Sequence, residues 1–177
     1  MSVLLFGANP GLTLYAPGTD APVAFASVWR VDWSSHGAGR AVVVWHDGRT
    51  RILTESPALG RWLAEAFTRH FPEVAGLAWP EPDLTEAAVA IELDHTTGLR
   101  AEAADVEVEI AVPLDRRAIT VDSFPGNGLR LSNVYVPCRL GSLRLAGRAV
   151  AGVPHVVEVP RASSTAFLAD AEVWCTA

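Results

Sequence analysis

Only one stretch of this chain carries a helical period, and every other patterned segment alternates with period two. That imbalance limits the fold more than any other feature. Leu59, Trp62, Leu63, Ala66 and Phe67 recur at 3.6-residue spacing and form one apolar stripe. Ser56 stands where an N-cap belongs, and Pro57 follows at the first helical position, where its missing N–H costs nothing. Arg61, Glu65 and Arg69 fall on the other face, and Pro72 stops the segment, so the pattern predicts a helix over about 57–71. A lone amphipathic helix must lay its stripe on a sheet or across a barrel mouth.

The sheet is written in the flanking segments. Val23 to Trp33 is a long strand, with Phe25, Ser27, Trp29, Val31 and Trp33 on one face and Ala24, Ala26, Val28, Arg30 and Asp32 on the other. Ala41 to Trp45, the turn Asp47-Gly48 and Thr50 to Leu53 predict a hairpin closed by a type I′ turn. Leu77 to Leu84 holds Pro80 and Pro82 and reads as a surface connection inside one domain, 1–177.

Beyond it the pattern is strands alone. Asp105 to Val112 alternates, with Val106, Val108, Ile110 and Val112 inward. Ala87 to Leu93, Ala118 to Val121, Leu129 to Val136, Arg139 to Leu145, His155 to Val159 and Ala166 to Trp174 are further strands. In the last, Leu168, Asp170, Glu172 and Trp174 share a face. Together with Val3 to Phe6 and Leu12 to Tyr15, about ten short strands predict a mainly β protein. It is either an antiparallel β-barrel or a two-sheet sandwich, with one α-helix as lid or brace.

Composition narrows the partners. With 50% hydrophobic and 19% charged residues among 177, the chain can build a core. The net charge of -6 is spread along the sequence, which argues against nucleic acid and acidic membrane surfaces. All 14 basic residues are Arg, so a lysine Schiff base, a lysine general base and a P-loop lysine are excluded together. No run approaches a membrane span, and the apolar start lacks a basic leader, which gives a cytoplasmic expectation. Cys138 and Cys175 are then expected as reduced core thiols.

Catalytic motifs are absent. There is no Gly-x-Gly-x-x-Gly, Walker pattern, nucleophile elbow or Cys-x-x-Cys, and the five histidines show no ligand spacing, so no cofactor and no metal are called for. Asp105, Glu107 and Glu109 read as a solvated strand face. Two places stand out as candidate ligand sites. If Trp29 and Trp33 faced one cavity they would wall it with aromatic surface, with Asp32 and His36 at the rim. Asn133 and Tyr135 share a face with Leu129 and Leu131, and buried polar groups need partners.

At the level of fold the architecture resembles the lipocalins and the wider calycin group, although no Gly-x-Trp signature stands near the N-terminus. The resemblance implies a barrel that encloses a hydrophobic small molecule, and six Trp spread along the chain suit an aromatic lining. Binding of an apolar or aromatic small molecule is therefore the first functional expectation. An isomerase, cyclase or hydratase acting on a hydrophobic substrate is the second, using groups such as Asp32, His36, Tyr135 or His155. A module whose aromatic surface forms a homodimer is the third.

Overall fold

The computed structural model describes residues 1–177. Fifteen strands and one α-helix follow in this order: β1 (Val3–Ala8), β2 (Gly11–Tyr15), β3 (Pro22–Ser34), β4 (Gly39–His46), β5 (Arg49–Thr54), α1 (Pro57–Ala66), β6 (Asp83–Glu86), β7 (Val89–Asp94), β8 (Gly98–Ala103), β9 (Val106–Pro113), β10 (Arg117–Val121), β11 (Arg130–Leu145), β12 (Arg148–Ala149), β13 (Val156–Val157), β14 (Ser163–Ser164) and β15 (Ala166–Cys175). All but β13 and β14, which pair only with each other, join one 13-stranded sheet.

The sheet curls into a ring. β2 pairs with both β3 and β15, and from these the ladder runs through β4 on one side and through β11, β9, β8 and β7 on the other. The free end returns near β4 and β5. Arg40 Nη1 donates to Val89 O at 3.1 Å, the Ala87 amide donates to Thr54 O at 2.9 Å, and Arg51 pairs with Asp105 at 2.6 Å. Twenty buried residues fill the interior, among them Val28, Val42, Val108, Ile110, Leu143 and Leu168. Branched aliphatic chains on a pleated surface interdigitate closely, so this interior is packed.

A second core of 15 buried residues lies on the outer face, where α1 covers β4 and β5. Leu59 and Leu63 of the stripe are fully buried, and Gly60 lets the helix approach Thr54, whose side chain a Cβ there would meet at 2.8 Å. Phe25, Trp29 and Val31 enter this core while Ala24, Ala26 and Val28 enter the ring, which is the division that the alternation of β3 predicts. The helix is thus a side brace.

Several expectations change. The helix stops at Ala66, because Phe67 leaves helical geometry (φ −125°, ψ −67°), and a 3-10 turn, Thr68–His70, carries the chain on. Ser56 makes no side-chain cap; Thr54 Oγ1 instead accepts from the Ser56 amide at 3.1 Å and donates to Ser56 O at 2.8 Å. The sheet is mixed, since β6 runs parallel to β5, a pairing its polar sequence Asp-Leu-Thr-Glu hides. β8 is a strand in a stretch between Leu93 and Asp105 for which the pattern predicts none. Leu129 to Val136 and Arg139 to Leu145 are one strand, β11, which runs through Pro137 where it changes partner from β15 to β9. Proline is tolerated there because its neighbours change at that residue. Val112 turns outward, 37% exposed, with φ at 65°. The His155–Val159 segment shrinks to Val156–Val157. The Asp47-Gly48 hairpin stands as expected, with positive φ at both turn residues (52° and 71°). No helix is long and apolar enough to cross a membrane.

Candidate functional site

A β-bulge re-aims the one carboxyl group that the fold buries completely. Val134 pairs with Asp170 and Ser132 with Val173, so Asn133 on β11 faces two residues of β15, Ala171 and Glu172. Ala171 takes the left-handed conformation (φ 46°), and its amide hydrogen goes to Asp170 Oδ1 at 2.8 Å. The extra residue turns Ala171 to solvent and Glu172 into the second core, where it is 2% exposed.

Two donors meet the Glu172 carboxylate. Trp174 Nε1–H donates to Oε1 at 2.6 Å, and Asn133 Nδ2 donates to Oε2 at 3.2 Å. Burial nevertheless dominates, joined by the nearby Asp170 charge and only partly opposed by the two donors, and pushes the carboxyl up to about 8. The other end of the Asn133 amide has no partner: its Oδ1 is buried without a hydrogen bond.

Above these groups lies a crevice of about 170 Å³. Phe71, Phe124 and Trp174 form its aromatic wall, with ring centroids 5.0 Å apart for Phe124–Trp174, 5.7 Å for Phe71–Phe124 and 6.4 Å for Phe71–Trp174. Leu131 and Phe167 add apolar surface, and Asn9, Pro72 and Glu73 complete the lining. Local turns set the wall. Phe71 follows the 3-10 turn, and Phe124 opens the β10–β11 turn, which Asn127 ties to the end of α1 through Ala66 O at 3.3 Å. Glu73 is half-buried, and burial pushes its carboxyl above the usual range. Larger grooves exist, the largest about 580 Å³, but it runs along the exposed β7–β9 hairpins, over residues such as Glu92, Arg100 and Glu109.

The residues singled out in the sequence separate. Asn133 lines the crevice. Tyr135 is two residues away, and its hydroxyl is taken by Ser164, accepting from N at 3.0 Å and donating to O at 3.1 Å, beneath the Arg117 guanidinium. Trp29 is wholly buried against Phe67, with Nε1 donating to Thr68 Oγ1 at 3.0 Å. Trp33 is 46% exposed, so the two tryptophans do not face one cavity. Asp32 pairs with Arg30 at 3.2 Å, and His36 stacks on Trp62 at 4.1 Å. Sequence reasoning missed Glu172, and the expected shared face of Leu168, Asp170, Glu172 and Trp174 does not hold: the bulge leaves Leu168 in the ring and turns Glu172 and Trp174 into the second core.

Other titratable groups are absorbed by structure. Asp170 bridges Arg30 at 3.1 Å and His95 at 2.8 Å; burial raises its carboxyl, and these partners with the Ala171 amide bring it below its ordinary value. Cys138 and Cys175 are buried free thiols, the former pushed up to about 11 by burial. Asp105, Glu107 and Glu109 face outward to Arg51, Arg144 and Arg100. No group of three or more His, Cys, Asp or Glu is arranged to hold a metal ion.

No family model and no curated protein matches the sequence. Among solved structures, the chain is similar to acetoacetate decarboxylase from Legionella pneumophila subsp. pneumophila, with 13% identity, 99% of this chain and 85% of that chain covered, and a TM-score of 0.44.

Proposed function

We propose that this protein binds a small, mainly apolar molecule in the crevice between β11, β15 and the segment after α1. The carrying observation is the combination found there: three aromatic rings around an opening whose floor holds Glu172 and the unpartnered Asn133 Oδ1. The ring of strands is a poor candidate for the ligand, because its own aliphatic chains fill it. At roughly 30 Å³ for each water-sized occupant, the crevice takes on the order of six non-hydrogen atoms.

Native mass spectrometry of the purified protein, set against its denatured mass, tests this reading. A retained small molecule that is lost in Leu131→Trp, which fills the crevice, is the expected result. An empty protein whose melting temperature no panel of small apolar molecules moves would overturn it.

One observation favours a second reading, acid–base catalysis on the same molecule. A carboxyl pushed up to about 8 keeps its proton near neutrality, as a general acid must. Turnover of a bound compound that Glu172→Gln abolishes without loss of binding would select it.

A further inference from the structure

We propose that the molecule held in this crevice carries a protonated amino group, placed between Glu172 and Glu73 with its N–H bonds directed at Asn133 Oδ1 and Asn9 Oδ1, and its alkyl part against Phe71, Phe124 and Trp174. This rests on the crevice being the binding site.

The polar groups that line it are matched to a donor of positive charge. No Arg or His lines the crevice, while two glutamates do. Asn9 is 5% exposed, and both hydrogens of its amide are spent, on Ser27 Oγ at 2.8 Å and Val28 O at 2.9 Å, so what it offers the opening is Oδ1. Asn133 is oriented in the same sense: its Nδ2 is committed to Glu172 Oε2 at 3.2 Å, which leaves Oδ1 buried and unpartnered. A ligand that brought only acceptors would leave both oxygens unpaired. A primary ammonium group brings three N–H donors, two for the asparagine oxygens and one for Glu172, whose carboxyl gives up its proton to solvent when the cation binds. Aromatic faces add attraction for a cation that a neutral molecule of the same shape does not receive.

The test uses the full chain and three small probes of similar size, by calorimetric titration. 3-Methylbutylammonium carries charge and N–H donors, choline carries charge without N–H, and 3-methylbutan-1-ol carries neither charge nor ammonium hydrogens. The ammonium is expected to bind at least tenfold more tightly than the alcohol, with choline between them. Glu172→Gln should erase most of that preference while the alcohol binds as before. Glu73→Gln should weaken the ammonium several-fold. Equal or tighter binding of the alcohol to the wild type would overturn the amine assignment and leave the crevice as an apolar site. Preference for the ammonium that survives in both variants would also overturn it. If none of the three binds, the crevice itself fails as the site.

Discussion

Glu172→Gln should stabilise this protein in alkaline solution and do almost nothing in acid. In the folded chain the Glu172 carboxyl is pushed from its ordinary 4.5 up to about 8 by burial. A raised acid favours the folded state while it holds its proton, so this contribution is complete below pH 4.5. It is lost as pH climbs through the interval up to about 8, and above that the loss levels off. At about 1.4 kcal/mol for each decade, the whole interval corresponds to about 5 kcal/mol, a ceiling that water entering the crevice would lower. Gln removes the charge and keeps the shape. Its Oε1 accepts the Trp174 indole hydrogen, and its amide N–H can donate to Asn133 Oδ1 once that side chain turns over. For a chain of this length, each 1 kcal/mol moves the melting temperature by roughly 2–4 °C. Melting of wild type and variant from pH 5 to pH 9 should therefore give curves that meet near pH 5. By pH 9 they should separate by on the order of 10 °C, the variant being the more stable. The difference between the curves cancels the other groups titrating in that window. Parallel curves, or a variant less stable at every pH, would refute the claim that Glu172 is a buried acid held neutral by its surroundings.

Five further substitutions probe the frame around the site. Thr68→Val removes the acceptor of the buried Trp29 indole hydrogen and should cost about 1–3 kcal/mol in urea denaturation. Leu63→Ala opens a void under α1 in a fully buried position, for a loss of roughly 2–5 kcal/mol with the ring of strands intact by circular dichroism. Ala171→Val puts a β-branched side chain at φ 46° and should cost at least about 1–2 kcal/mol, and it should weaken binding at the crevice because the bulge aims Glu172. Ser56→Ala should change stability by less than about 0.5 kcal/mol, since its hydroxyl caps nothing, whereas Thr54→Val should cost about 1 kcal/mol or more.

Much of the fold was legible because the face of a strand repeats every second residue, dividing β3 and β4 between the two cores and β9 between core and solvent. β3, the β4–β5 hairpin and β9 up to Ile110 follow that period, and the α1 stripe follows its own. What escaped was set by tertiary geometry. Pro137 reads as a break, yet β11 passes through it because the residues on either side ladder to different strands. The polar tetrapeptide of β6 has no period to detect and is held by its parallel neighbour. Ser56 has the right chemistry for a cap, but its hydroxyl takes no first-turn amide, and Thr54 braces the Ser56 backbone instead. The site was half legible. Asn133 was visible as a polar residue on a buried face, while Glu172 depends on a bulge, and nothing in Ala-Asp-Ala-Glu announces that Ala171 takes a left-handed turn.

The location of the crevice follows from the two cores being built of different side chains. Inside the ring, Val, Ala and Leu are small and branched, and strands from both directions mesh until no space remains. On the outer face the core is aromatic, with Phe67, Phe71, Phe124 and Trp174 meeting mostly edge to face. Flat rigid rings at such angles cannot close every gap, least of all where α1 ends and a turn takes over the cover. The same place lies beside the bulge that turns a carboxyl inward and just before the point where β11 changes partner. Three local irregularities, a short helix, a bulged strand and a switching strand, therefore converge on one opening. Replacing Phe124 with a larger ring or extending α1 by a turn should close the crevice with little effect on the ring of strands. The opening is thereby separated from the ring of strands behind it.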